Sequence, residues 1–209
     1  VAEPTWNDDA KVAEYTERVG RLAARRAGEV EVLDALPPVV HRALDLGCGD
    51  GRLLGLVLDA HPEVVEAVAV DRSPPMLDLA RERFAGDDRV RVLDADLGDA
   101  VDGFGTFDAI VTGFALHHLP DQRKRSIAVE IAASLAPGGV FANLEVVACA
   151  TPLLQAEFEE RIGRPGGDPE DLLAPVEDQL AWLRDAGLAH VDCQWRWRGF
   201  AVLTARRPA

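Results

Sequence analysis

Basic residues are scarce in this 209-residue chain, where 22 lysines and arginines stand against 36 aspartates and glutamates for a formal net charge of −14. Nucleic-acid binding draws most of its affinity from cations that neutralise phosphates, so this balance argues against a nucleic-acid partner. The densest basic run, Arg123-Lys124-Arg125, reads as a solvated helix face. Cysteine is scarce as well. Cys48, Cys149 and Cys193 stand far apart with no CxxC pair, which argues against a disulfide framework or a zinc site and points to thiols in a reducing compartment. No apolar run reaches the length of a membrane span, and the first residues lack the charged-then-apolar layout of a signal peptide. The expectation is a cytoplasmic protein without a membrane partner. Internal repeats and low-complexity tracts are absent too.

What the chain does have is apolar bulk: 48% of its residues are hydrophobic, which suits one α/β domain over residues 1–209. Val12, Tyr15, Val19 and Leu22 fall on one helix face, and Pro37-Pro38 then breaks the chain, so residues 1–38 read as an N-terminal helical lid. Residues 39–150 alternate strand and helix. The strand candidates are Arg42–Leu46, Glu66–Val70, Val90–Leu93, Phe107–Thr112 and Val140–Val147, and their near-continuous apolar character predicts a parallel sheet covered on both faces. Ser73 is a good N-cap with Pro74 behind it, and Met76, Leu77, Ala80 and Phe84 form that helix's inward stripe. Ile127, Ile131 and Leu135 form another, which Pro137-Gly138-Gly139 ends. Residues 151–187 read as a substrate-side segment of two helices, Thr151–Gly163 and Val176–Ala186, around a Gly/Pro-rich loop. Residues 188–209 supply two strands, Ala189–Trp195 and Phe200–Ala205, whose short connection makes them antiparallel. The alternation Trp195, Arg196, Trp197, Arg198 predicts tryptophans inward and arginines outward. The fold class is therefore α/β, Rossmann-like, seven-stranded, mostly parallel with an antiparallel C-terminal strand and helices on both faces.

The strongest local signal is LDLGCGDGRL, Leu44 to Leu53. An apolar strand runs into Asp45 and then meets Gly47, Gly49 and Gly51 at alternate positions. Glycines there permit a tight turn and let a ligand lie against the backbone, and the following helix N-terminus offers N–H groups to a carboxylate. A dinucleotide fingerprint needs a third small residue at Arg52, so the GxGxG spacing argues against NAD. Twenty residues past Gly51 the second strand ends in Asp71, beside Arg72, where a carboxylate can accept both ribose hydroxyls of an adenosine. After the third strand Asp96 can accept an adenine amino group, with Asp94 as the competing choice.

With these pieces in order, the chain resembles the class I S-adenosylmethionine-dependent methyltransferases of the small-molecule type (type 11/12/25-like). The resemblance runs from about Pro37 to Arg207 through LDLGCGDG, VAVDRSPPML, DADL, FDAIVTGFALHHLP, LAPGGVFANLEVV and the WLRDAGL hairpin. It implies S-adenosyl-L-methionine as cofactor, with S-adenosyl-L-homocysteine as product. Asp45 would reach the methionyl amino group, with Gly47, Cys48 and Gly49 lining the methionyl side and no catalytic role for the thiol. Asp71 and Arg72 would stand at the ribose, Met76, Asp96 and Leu97 at the adenine, and Thr112 and Gly113 beside the sulfonium.

Ligands of open α/β sheets bind beyond the carboxyl ends of the strands. Phe114, Leu116, His117, His118 and Glu145 fall there; His117, His118 and Glu145 are the candidate catalytic residues, with His117 slightly favoured as a general base. Glu145 interrupts an apolar strand, so it is expected to face the pocket or a partner. The acidic metal cluster of catechol-type methyltransferases is not visible, and no metal is expected. Thr112-Gly113-Phe114-Ala115 also differs from the Asn/Asp-Pro-Pro-Tyr/Phe signature of enzymes that methylate base amino groups. The lids are expected to include Trp6, Tyr15 and the segment Thr151–Val176. The acceptor is thus expected to be a small molecule with an oxygen or nitrogen nucleophile, and a homodimer is left open. Three alternatives stay open: an NAD(P)-binding oxidoreductase, a non-catalytic cofactor-binding protein, and a methyltransferase acting on a modified tRNA base.

Overall fold

The computed structural model describes residues 22–101 and 103–209. Val12, Tyr15, Val19 and Trp6 lie outside the described residues; Leu22 directly precedes helix α1 (Ala23–Ala35), which stops just before Pro37-Pro38. Seven strands follow: β1 (Arg42–Leu46), β2 (Glu66–Asp71), β3 (Val90–Asp94), β4 (Phe107–Gly113), β5 (Leu135–Val146), β6 (Ala189–Trp197) and β7 (Phe200–Arg206). They form one sheet in the order β3-β2-β1-β4-β5-β7-β6. Strands β1 to β5 pair in parallel, and β7 runs antiparallel to both β5 and β6, so the last strand inserts between its hairpin partner and the rest of the sheet. The helices between strands are α2 (Arg52–Ala60), α3 (Pro74–Arg83), α4 (Asp121–Ser134), α5 (Pro152–Arg161) and α6 (Val176–Asp185). Among the described residues no helix is long and apolar enough to cross a membrane.

The inner strands of the sheet are buried on both sides because they are apolar on both faces, whereas the edge strands β3 and β6 are partly exposed. Ala43, Ala67, Ala109 and Val111 join Leu54 and Val57 of α2 in one core cluster. Leu44, Leu46, Val68 and Ile110 join Ile127 and Ile131 of α4 in the other. Chain leaving β1 therefore turns to one face, and chain leaving β4 turns to the opposite face. That divergence opens a crevice at the carboxyl ends of two adjacent parallel strands.

Two local expectations need correction. Leu135 does not continue the α4 stripe: it is extended (φ −75°, ψ 142°) and pairs with Phe107 as the first residue of β5, so the helix ends before Pro137-Gly138-Gly139. Strand pairing with β4 outcompetes one more helical turn there. The basic run is not a solvated face either. Lys124 is buried and donates to Asp121 (3.1 Å) and to the carbonyl of Leu172, while Arg123 donates to Glu130 and to the carbonyls of Leu97 and Asp99. Arg125 lies over the Trp182 ring at 5.2 Å. In the closing strands the expected alternation appears, with Trp195 and Trp197 half-buried and Arg196 and Arg198 exposed.

Helix α5 is anchored by one ring. Phe158 of α5 is buried, 5.0 Å edge-on to Phe200 and 6.3 Å from Trp197, and Gly199 passes so close that a Cβ there would lie 2.5 Å from the ring. Truncation of a buried phenylalanine costs about 3–5 kcal/mol. We expect Phe158→Ala to lose stability in that range by urea unfolding; a loss below about 1 kcal/mol would show that α5 is not held by this packing.

Candidate functional site

The glycine turn after β1 is built by close approach. Gly47 has φ +71°, and a Cβ there would sit 2.3 Å from the Ala115 Cβ, so the loop after β1 and the loop after β4 touch backbone to side chain. The N–H groups of Gly47 and Cys48 both donate to the Val70 carbonyl (2.8 and 2.9 Å), which ties the turn to β2. Asp71, at the tip of β2, completes the link: its Oδ2 accepts from the Gly49 N–H (2.8 Å) and its Oδ1 from the Ser73 N–H (2.9 Å). Burial raises the Asp71 carboxyl above its ordinary range, and the Ser73 and Gly49 N–H groups oppose that rise. Ser73 caps α3 by accepting from the Met76 N–H (3.4 Å).

Between these loops lies a cleft of about 360 Å³, a volume suited to a small ligand. It brings together Gly47, Cys48, Gly49, Asp71, Arg72, Met76, Asp96, Leu97, Gly113 and His118 of the expected site. Asp96, not Asp94, is the third-strand acid on the cleft; Asp94 is exposed and outside the lining. Asp96 Oδ2 accepts from Arg72 (3.0 Å) and Asp96 Oδ1 from the Gly98 N–H (2.7 Å). Burial opposes ionisation of Asp96, but the Gly98 N–H and the Arg72 guanidinium outweigh it and lower the carboxyl. Met76 and Leu97 supply buried apolar walls. Burial, with Asp45 and Asp71 nearby, pushes the Cys48 thiol up, so it stays a neutral small side chain.

Four expected residues do not line this cleft. Thr112 is fully buried, and its hydroxyl has no hydrogen-bond partner among the described residues. Strand alternation aims it along with Ile110, toward the α4 face, and leaves Gly113 to border the cleft. Asp45 lines a small adjoining cavity with Arg25, Glu29, Gly47 and Phe114. Its Oδ2 accepts from the Leu54 N–H (3.2 Å), while Oδ1 is buried without a hydrogen-bond partner among the described residues. Burial pushes the Asp45 carboxyl up to about 8, with the Leu54 N–H opposing and the Asp71 charge reinforcing. His117 and Glu145 are the remaining two.

The turn Leu116–His118 after β4 sorts the two histidines. His117 is buried, with Nδ1 2.5 Å from Glu145 Oε1 and Nε2 3.5 Å from Asp171 Oδ1. His118 reaches the cleft, and its Nδ1 lies 3.7 Å from the same Asp171 oxygen, the two rings being 4.1 Å apart. The imidazole favoured from the sequence is thus set between two carboxylates, and its neighbour faces the ligand space. Glu145 Oε1 also accepts from the Val146 N–H (2.7 Å).

Sequence reasoning missed Asp171 and Arg25, whereas Phe114, placed beyond the fourth strand from the sequence, does line the cleft. Asp171 is held in place by its neighbour: the Leu172 N–H donates to the His117 carbonyl (2.7 Å), and Lys124 donates to the Leu172 carbonyl. Burial raises the Asp171 carboxyl, and His117 opposes the rise. Arg25 of α1 lines the cleft and lies 5.4 Å over the Phe114 ring. Its partner Glu29 is buried and also accepts from Arg52 at 2.7 and 2.8 Å; burial opposes ionisation of Glu29, but Arg52 and Arg25 lower its carboxyl. Phe114 has φ +56°, a conformation an L-residue takes at some cost and one found often at ligand sites. No motif marks Asp171 or Arg25.

Residues 43–139 match a family model described as a methyltransferase domain. The chain is 38% identical over 125 residues to an uncharacterized methyltransferase of Mycobacterium tuberculosis, a stretch covering 59% of each chain. It is 33% identical to a demethylmenaquinone methyltransferase of Clavibacter sepedonicus, over 76% of this chain and 70% of that one. Human N-acetylserotonin methyltransferase, solved in complex with SAM, superposes with a TM-score of 0.73 over 98% of this chain and 58% of its own, at 17% identity, a likeness of fold. The chain thus spans about three fifths of the length of the mycobacterial relative.

The raised Asp45 carboxyl has a stability signature. Unfolded, it titrates near 3.9; folded, near 8, so between these values the folded state holds a proton the unfolded chain has lost. Stability from this group is present at low pH and declines as pH rises from about 4 to about 8. Urea unfolding of Asp45→Asn should show a shallower decline than the parent across that window, and equal slopes would place Asp45 outside this linkage.

Proposed function

The chain belongs to the class I S-adenosylmethionine-dependent methyltransferase family, and on that premise we propose that it transfers a methyl group to an oxygen or nitrogen nucleophile of a small molecule. The observation that carries this reading is the convergence on one cleft of the glycine turn, Asp71, Asp96 and, just behind the turn, a buried carboxyl oxygen of Asp45 with its hydrogen-bonding capacity unused. These donors and acceptors fit S-adenosylmethionine. Asp71 takes the ribose hydroxyls, Asp96 the adenine amino group between Met76 and Leu97, and Asp45 the methionyl ammonium. Arg25 stands where it can meet the carboxylate. When bound there, S-adenosylmethionine would supply an already activated methyl donor, its carbon–sulfur bond breaking with the electron pair left on sulfur as the acceptor–methyl bond forms.

The protein's task is then alignment and exclusion of water. Gly113, Phe114 and Ala115 wall the donor side, and His118 borders the acceptor, oriented by His117, Glu145 and Asp171 behind it. For a hydroxyl or ammonium acceptor a proton leaves as the methyl arrives, and the His118 edge is where it leaves. Arg52 disfavours the nicotinamide alternative. It fills the position where a dinucleotide turn needs a small residue, and its guanidinium is committed to Glu29. The net charge of −14 supports a small acceptor over a nucleic acid.

A screen of metabolite pools and bulk tRNA for S-adenosylhomocysteine release tests the acceptor class, and turnover on tRNA alone would overturn the small-molecule reading. For the cofactor site, Asp71→Ala removes hydrogen bonds to a charged acceptor, each worth about 1.5–3 kcal/mol, so calorimetry should show at least about tenfold weaker S-adenosylhomocysteine binding. Unchanged affinity would move the ribose elsewhere. On the acceptor that emerges, His118→Ala should lower kcat by about 10²-fold or more and leave cofactor affinity within about twofold. Full activity in that variant would remove His118 from the acceptor side.

A further inference from the structure

The polar cluster behind the acceptor edge is arranged in a way that hydrogen bonding alone does not explain. Asp171 Oδ1 is buried and has no hydrogen-bond partner among the described residues, although two imidazole nitrogens face it, His117 Nε2 at 3.5 Å and His118 Nδ1 at 3.7 Å. Those separations exceed the usual limit of about 3.2 Å for an N–H···O bond. They lie close to the spacing of a different geometry, the first within it and the second about 0.1 Å beyond it. With ligand bonds of about 2.0–2.2 Å, neighbouring ligand atoms around a tetrahedral ion lie roughly 3.3–3.6 Å apart. One ligand atom from each of His117, His118 and Asp171 falls within 4.8 Å of the others.

The surroundings fit too. His117 Nδ1 is held 2.5 Å from Glu145 Oε1, which fixes the ring and leaves Nε2 as the nitrogen turned toward Asp171. A metal-ligating histidine characteristically gives its second ring nitrogen to a carboxylate in this way. The third donor does not drift, because the Leu172 N–H donates to the His117 carbonyl at 2.7 Å and pins the residue after Asp171 to the histidine turn. His118 Nδ1 also lies 3.5 Å from the Glu170 carbonyl, a long contact that a ligand bond to an ion would replace. His118 borders the cleft, so a fourth position would open toward the acceptor.

We propose that His117, His118 and Asp171 form a binding site for a divalent transition-metal ion of the zinc class, with Glu145 as the positioning residue for His117. Two imidazoles and one carboxylate with an open position make the donor set of a catalytic rather than a structural zinc site. This departs from the sequence-based expectation of no metal, which weighed the histidines and Glu145 without Asp171. The role of such an ion, drawing a proton from an oxygen or nitrogen acceptor toward solvent before methyl transfer, rests on the methyltransferase reading; the binding of the ion does not.

The test uses the full chain stripped with a chelator and titrated with Zn²⁺, and with Co²⁺ as a spectroscopic probe. We expect one equivalent bound more tightly than about 10 μM, with visible Co²⁺ bands of tetrahedral intensity. Asp171→Asn and His118→Gln should each weaken Zn²⁺ binding at least tenfold, and Glu145→Gln about 10–100-fold. S-adenosylhomocysteine affinity, measured on each variant, reports folding. Should Asp171→Asn lose that affinity as well, His118→Gln, whose site lies on a different segment, decides the matter. Absence of saturable binding below about 100 μM, or Zn²⁺ binding undiminished in the folded variants, would overturn the proposal. A parent chain that binds Zn²⁺ and not S-adenosylhomocysteine would instead overturn the methyltransferase reading and leave the metal site standing.

Discussion

The structure depends on one divergence: β1 and β4 lie side by side and parallel, yet the chain leaves them toward opposite faces of the sheet. Nothing in the sheet fills the gap this opens above their carboxyl ends. The two loops must then pass each other there at close range, which is why Gly47 has no room for a Cβ beside Ala115. Asp71 makes the arrangement rigid. It is the acid that ends β2, and it accepts from the turn after β1 and from the start of α3 at once. A position that holds three segments together also presents its carboxylate to the cleft, so the fold's joint and the ligand's anchor are the same residue.

The energetic pattern follows. Burying polar groups without partners is costly, and most such groups in folded proteins are paired. Three of the five buried side-chain oxygens without partners among the described residues lie near the ligand space: Asp45 Oδ1 behind the glycine turn, and Glu145 Oε2 and Asp171 Oδ1 behind His118. Each is a cost a ligand or ion can relieve. The donor end and the acceptor end of the cleft thus carry their own buried acids, separated by the apolar and aromatic wall of Gly113, Phe114 and Ala115. Thr112 and Asn143 are the exceptions, a hydroxyl and an amide oxygen that are unpartnered among the described residues yet do not line the cleft, and their burial has no account in the ligand geometry.

Much of this was legible in the chain because apolar strands and glycine turns leave local patterns. The strand candidates stand within a few residues of β1 to β7, and Asp71, Asp96 and the glycine loop sit on one cleft because strand ends fix where they lie. What was not legible depends on tertiary packing. Leu135 keeps a helical spacing yet pairs as a strand, since a partner in β4 outweighs local propensity. Lys124 looks like any surface lysine until the Leu172 carbonyl covers it. Two adjacent histidines give no sign of which one faces a ligand; the tight turn they share decides it, and it turns His117 to Glu145 and His118 to the cleft. Asp171 lies in an irregular loop without periodicity, and Arg25 on a helix rich in charge, so neither carried a signal before the segments came together.

The central claim is that the cleft holds an adenosyl sulfur cofactor with its amino group against a buried acid. Asp45 is pushed up to about 8 in the unliganded protein, and an ammonium beside it favours the carboxylate. The most direct measurement is calorimetric titration with S-adenosylhomocysteine near pH 7 in buffers of different ionisation enthalpy. The account predicts one-to-one binding with release of close to one proton, and loss of that release in Asp45→Asn. Absence of binding, or binding whose heat is the same in every buffer, would contradict it.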